Sequence, residues 1–280
     1  MIAILGGLGA ATVFASATLC SSRSTRMIGA GPVLAWVMIL GFLIVVPWAA
    51  AEGVPDGLDA ASVGWLVVAG IGNVLGLLLA YSALRIGKVG IVAPIVSTEG
   101  AIAAIISVIA GEQIAPGVGV TLGVIAAGIL LAAATRGAVV RGVDWAVALY
   151  AVGAAVSFGF SLYATARVSA ALPIVWALLP ARVVGVLAVA VPLALTAKLR
   201  LTRAALPLVG AAGVAEVVGF LLFAVGSRHG IAVSAVLASQ FGAIAGVAAF
   251  LLFRERLASV QFVGVAMIVA GVSVLSVLQS

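Results

Sequence analysis

Residues 70–87 read GIGNVLGLLLAYSALRIG, and residues 213–230 read GVAEVVGFLLFAVGSRHG. A shift of 143 positions lays Gly70, Gly76, Arg85 and Gly87 on Gly213, Gly219, Arg228 and Gly230. In the same register Asn73 falls on Glu216, Glu112 on Glu255 and Gly128 on Gly271. Self-similarity at one fixed distance is the mark of a folding unit used twice. The halves divide at 1–140 and 141–280.

Both copies are apolar throughout. Hydrophobic residues make up 65% of the chain and charged ones 8%, with a mean hydropathy of +1.40. A soluble domain carries about 25% charged residues, so most of this surface cannot face water. The 34 glycines agree, because small residues let helices in lipid approach closely. Ten segments are long enough to span a bilayer as helices: 2–22, 30–51, 63–84, 89–110, 117–135, 145–166, 174–197, 205–226, 231–253 and 258–278. The apolar runs are continuous and lack the alternation of a membrane barrel. The expected fold is therefore all-α and integral to the membrane.

The charges sort by loop. Connections 1–2, 3–4, 5–6, 7–8 and 9–10 hold 11 of the 14 Lys and Arg residues, among them Arg23, Arg26, Arg85, Lys88, Lys198 and Arg200. The positive-inside rule puts those loops in the cytoplasm and both termini outside. Five spans per half is an odd number, so the second half is inverted relative to the first. The net charge of +6 is thus a matter of topology, and no nucleic-acid partner is expected. Met1–Cys20 has no basic residue ahead of its apolar run, so it reads as a first span rather than a signal peptide. The single cysteine, Cys20, excludes an internal disulfide, and no ligand cluster calls for a metal or cofactor.

Three charged residues fall deep inside spans: Glu99, Arg182 and Glu216. Each costs about 2.5–3.5 kcal/mol at a helix centre on insertion scales, so each must face protein, pair, or line a wet path. Glu99 is the leading candidate for substrate binding or proton coupling. It stands mid-span beside Ser97 and Thr98, and Pro94 is expected to bend the helix one turn earlier. Glu216 and Asn73 occupy matching positions and could share a cavity or serve as interhelical hydrogen-bond glue. Arg182, two residues after Pro180, could pair with a glutamate, bind an anionic group, or snorkel to the interface. The register sets Gln240 against Ser97 and Gly242 against Glu99, leaving the carboxylate unduplicated. Tyr81, Trp36, Tyr150, Tyr163 and Trp176 are read first as interfacial anchors, with the lining of a cavity as the alternative, and Glu112 and Glu255 as helix caps or loop ion pairs. No His-Glu-x-x-His, Gly-x-Ser-x-Gly or phosphate loop is present, so catalysis is not expected.

The Gly111-Glu112 step closing span 4, its counterpart Arg254-Glu255-Arg256-Leu257, and the passage ALRIGKVGIVAPI at 83–95 are the motifs that carry a family resemblance. With the two five-span halves, they resemble the EamA-type ten-span permeases of the drug/metabolite transporter superfamily. That resemblance implies alternating access around a central cavity, with spans 4 and 9 near the two-fold axis. Glu99 and Gln240 would then stand near the substrate. The expected function is a secondary transporter of the bacterial inner membrane, exporting a small metabolite with protons as possible coupling ion. It would rock residues 1–140 against 141–280 and work as a monomer or homodimer. The rival readings are an intramembrane lipid-modifying enzyme and a non-transporting scaffold.

Overall fold

The computed structural model describes residues 1–133 and 145–253, with isolated helical positions between 260 and 278. Every regular element among them is helical. In chain order these are α1 (Ile2–Ile28), α2 (Ala30–Glu52), α3 (Ala60–Ile86), α4 (Val89–Val96), α5 (Glu99–Ile109), α6 (Pro116–Ala133), α7 (Trp145–Ala171) and α8 (Ile174–Gly185). A π-helical segment, Val186–Ala190, joins α8 to α9 (Val191–Leu195); α10 (Leu206–Ser227), α11 (Ile231–Ala238) and α12 (Phe241–Phe253) follow. Seven described stretches are long and apolar enough to cross a membrane: α1, α2, α3, α7, Ile174–Leu195, α10 and Ile231–Ala248. The chain is a multi-pass membrane protein. The residues of the fourth expected span form the shorter helices α4 and α5, and those of the fifth form α6; neither stretch is among those seven. Most of the tenth, together with Glu255, lies outside the described residues.

Short connections fix the helix order. Gly29, at φ 95°, turns α1 into α2 without an intervening loop, a conformation that glycine adopts at little cost. Asp59 caps α3: its Oδ1 accepts the Ser62 N–H at 2.7 Å. That backbone hydrogen bond holds the Asp59 carboxyl below its ordinary range.

Packing runs between the halves. α1 lies chiefly on α10, and α3 on α7. Small residues bring these pairs together: Gly6 meets the Gly226 backbone, and Gly72 meets Ser157 and Ser161. Gly219 makes room for the Phe14 ring, as Gly76 does for Phe158. The Ser161 hydroxyl then bonds across to the Ala69 carbonyl at 2.9 Å. The main apolar cluster runs from Ala10 to Ala245 and is shared by both halves. Outward positions such as Leu43, Val67, Ile105 and Leu187 are apolar and exposed, as a lipid-facing surface requires.

Two expectations about span 4 are corrected. The helix runs through Pro94 and breaks three residues later, at Ser97–Thr98, where the Thr98 N–H reaches Ile95 O instead of the fourth residue back. Span 9 breaks in the same way at Ser239–Gln240, with no proline nearby. Back-bonding hydroxyls accompany both breaks. Thr98 Oγ1 donates to Ile95 O and Ser239 Oγ to Val236 O, each at 2.8 Å, competing with the helical ladder. The register also differs by one. Gly100 packs on Ala235 and Ser239, and Gly242 packs reciprocally on Ala93 and Ser97. Ser97 therefore corresponds to Ser239, and Glu99 to Phe241, because beyond the matched Gly76 and Gly219 α10 ends about two residues sooner than α3 while its connection to the next helix is only about one residue longer.

Candidate functional site

Glu99 is the first residue of α5, immediately after the break, and is 5% exposed. The break stops the helix at mid-span, so the carboxylate stands at the positive end of α5. Glu216, on α10, is equally buried, on the turn between Gly213, which packs on α2, and Gly219, which packs on α1. Both carboxylates line one cavity of about 50 Å³. Its other walls are Phe14 and Thr18 of α1, Tyr81 of α3, Phe158 of α7, Phe220 of α10 and Phe241 of α12, with aliphatic residues between. Phe14 meets Phe220 edge-on at a centroid distance of 5.3 Å and Phe241 at 6.4 Å. Leu84, in the last turn of α3, and Val92, in the first turn of α4, carry the lining toward the basic connection between those helices.

Arg182 is fully buried, so it does not snorkel. Its stem lies on Gly41 of α2, where any side chain would collide with it, and Nη1 contacts Met38 Sδ at 3.7 Å. The helix passes into its π segment four residues later, a local irregularity common beside functional groups. Glu216 interacts electrostatically with Arg182 and with Glu99, linking the three charges into one cluster. Within it, Arg182 Nε and Nη2, Glu216 Oε2 and Tyr81 OH have no hydrogen-bond partner. Buried groups of this kind are almost always satisfied, and a cavity of this volume can hold a few waters.

The remaining candidates are buried but lie off the cavity wall. Asn73 is on the α3 face between Gly70, packed on Pro180, and Gly76, packed on Phe158; neither of its amide atoms has a partner. Ser97 packs on Gly242, and Gln240 is buried with Nε2 unpartnered. Sequence reasoning underrated Tyr81, which is 3% exposed and lines the cavity. Tyr163 is also buried, edge-on to Trp65 at 5.5 Å. Trp176, in the first turn of α8, donates to Gly53 O, and Trp36, nearly two turns into α2, donates to Arg200 O.

The end remote from the basic connection is closed by packing and charge. Gly6 touches Gly226, and Gly7 packs on Ser234 and Leu237. Glu112, after α5, caps the other half's α11: its carboxylate accepts the Ile231 N–H at 2.8 Å and the Ala232 N–H at 3.1 Å. Arg228 donates to the Ser169 and Leu172 carbonyls at the end of α7. Among the described residues no group of three His, Cys, Asp or Glu could hold a metal.

Comparison with known proteins agrees with this architecture. No curated protein matches the sequence. A solved structure described as "Crystal structure of protein" is similar in fold, with a TM-score of 0.72 and 19% identity over 99% of this chain and 96% of that one. Residues 1–134 match the model of the EamA-like transporter family. The first unit, residues 1–134, is thus similar to the EamA-like transporters, a family of the drug/metabolite transporter superfamily.

Proposed function

We propose that this protein is a secondary active transporter that exports a small metabolite across the bacterial inner membrane by alternating access. The observation that carries the proposal is the buried cavity on which Glu99 and Glu216 converge between interrupted helices. Transporters bind substrate at such broken helices near the midplane. Glu99 is the substrate-binding or proton-coupling group, with Glu216 and Arg182 as the charge pair behind it. Asn73, Ser97 and Gln240 shape the surrounding helices. No second chain is needed to complete the cavity, so a monomer suffices, whether or not it dimerises.

The reciprocal contacts of Gly100 and Gly242, and the matched pairs α1–α10 and α3–α7, support ten spans arranged as two inverted repeats, 1–140 and 141–280. They also argue against those halves as the moving bodies. Small residues and rings knit α1 to α10 and α3 to α7, so the units that rock are these cross-half pairs. The basic connections mark the cytoplasmic end, toward which the cavity extends. This conformation loads from the cytoplasm, and release requires the Glu112 end to part. At about 50 Å³ the cavity is below the 300–1,000 Å³ of a usual small-molecule site, so the helix pairs must also separate to admit a solute.

The test is an untargeted metabolite comparison inside and outside cells expressing wild type or Glu99→Gln at matched levels. Outward movement of one metabolite class with wild type alone is expected. Export by both proteins would remove Glu99 from the mechanism, and no movement by either would contradict export.

A further inference from the structure

Resting on that reading of two rocking bodies, we infer that Arg26 and Arg228 are straps that hold the bodies together at opposite ends, and that each half-cycle of transport breaks one of them. Arg26 stands in the last turn of α1, at the end of the basic connections. Its Nε donates to Leu84 O at 3.4 Å and its Nη2 to Gly87 O at 2.7 Å. Arg228, the residue after α10, stands at the remote end. Its Nε donates to Ser169 O at 2.5 Å and its Nη2 to Leu172 O at 3.0 Å. The geometry matches down to the donor atoms. Each guanidinium bridges the carbonyls two residues before and one residue after the final residue of a neighbouring helix, α3 or α7. Carbonyls at a helix end lack partners in their own helix, and a planar fork of fixed N–H donors fits two of them at once.

The repeat shows that this likeness is not simple duplication. A shift of 143 positions carries Arg26 onto Ser169, and Arg85 onto Arg228. A strict copy of the first strap would therefore put its arginine on α7, reaching α10. Ser169 stands there instead, its Oγ 3.3 Å from that of Ser227, and the arginine is supplied from the α10 side. The exchange decides which body holds which part. α1 packs on α10 and α3 on α7, so one body carries an arginine at each end and the other carries both carbonyl pairs. Rocking that parts the bodies at one end breaks the strap there and leaves the other in place. Both straps are made in this conformation, in keeping with a cavity of only about 50 Å³. Their surroundings differ. The Arg228 strap is backed by the Glu112 cap and the Gly6–Gly226 contact. The Arg26 strap has the longer Nε bond and is anchored on Leu84, which lines the cavity. It opens first, and it controls entry from the basic end.

The test is side-specific labelling of Thr18→Cys, in a Cys20→Ser background, with a membrane-impermeant maleimide on oriented vesicles of the full-length protein. Arg26→Lys and Arg228→Lys keep the loop charges that set topology but lose the planar fork. One charge-assisted hydrogen bond corresponds to about tenfold in an equilibrium between two conformations. Arg26→Lys should raise labelling from the basic side alone by about that factor. Arg228→Lys should raise it from the opposite side alone, by less while the Glu112 cap remains. The double variant should move the ratio of the two back toward the parent. If a lysine variant fails to accumulate, the glutamine variant at the same position, which keeps one N–H₂ donor, makes the same comparison. Unchanged labelling, or a rise from both sides with either variant, overturns the inference. So does a lower unfolding midpoint with unchanged sidedness, which would make the arginines structural only. Labelling needs no solute, so the two readings fail separately. A sided shift without metabolite export keeps the straps and overturns transport, whereas export with unchanged labelling overturns the straps.

Discussion

The two ends of this bundle are built on different principles. Toward the basic connections, the space between α1, α3 and α4 is lined by Thr18, Tyr81, Leu84 and Val92, and the Tyr81 hydroxyl has no partner. At the opposite end, glycine backbones touch, Glu112 caps α11, and Arg228 is tied to two carbonyls. One end is loosely filled around two hydroxyls; the other is close-packed and hydrogen-bonded. The difference teaches where the cost of motion lies. Close packing cannot deform gradually, so the closed end must open as a unit, releasing the cap and the glycine contacts together.

The comparison is broken most severely by disturbing the charges between the two ends. Arg182→Met leaves Glu216 without its buried countercharge and should destabilise the protein by about 3–5 kcal/mol. Adding Glu216→Gln should restore most of that loss in thermal unfolding of the purified protein. If the double variant is no more stable than the single one, the pair does not act as a unit.

Glycine substitutions sharpen the contrast. A Cβ at Gly6 would lie 2.7 Å from the Gly226 Cα, whereas at Gly210, near the start of α10, nothing lies within 4 Å. Gly6→Ala should therefore cost about 1–3 kcal/mol by overpacking. Gly210→Ala should be neutral or stabilise by up to about 1 kcal/mol. Equal effects on the unfolding midpoint would show that the closed end is not the tighter one.

Removing the cap is a smaller perturbation. Glu112→Ala deletes the acceptor of two backbone N–H groups and should cost about 1 kcal/mol, lost only from the conformation closed at that end. Faster solute release is its expected kinetic sign. Smallest is Asp59→Ala at the start of α3, which should lower the unfolding midpoint slightly at neutral pH. Because folding holds the Asp59 carboxyl below its ordinary range, the contribution is present above the unfolded-state pKa. It fades as pH falls through the lower folded value, so wild type and variant should converge in acid. A difference that persists there would rule out the carboxylate cap.

Much of this was legible in the sequence, for physical reasons. Lipid demands long apolar helices with few charges, so their presence and the exceptional depth of Glu99, Arg182 and Glu216 could be read directly. The repeat register predicted the matched settings of Asn73 and Glu216, each between two glycines that pack on neighbouring helices. The site of the break in span 4 was misjudged because proline is the conspicuous helix breaker. The hydroxyl back-bonds of Thr98 and Ser239 carry no such signal until their carbonyl partners are known. The one-residue slip between Ser97 and Ser239 arises in the preceding connections, where sequence identity persists but helix ends shift. For Tyr81 the anchor reading was preferred to the cavity because its hydropathy cannot distinguish a lipid interface from an internal wall. The pairing of α1 with α10 was also hidden, since a duplicated sequence does not say which copy each helix will touch.

The most direct test is a labelling measurement with a single cysteine. Thr18→Cys places a thiol on the cavity wall, in a Cys20→Ser background, and a membrane-impermeant maleimide is applied to each side of oriented vesicles. The account predicts labelling from the side of the basic connections, with labelling from the opposite side emerging when Glu112→Ala is added. Equal labelling from both sides in the parent, or unchanged sidedness after removal of the cap, would contradict it.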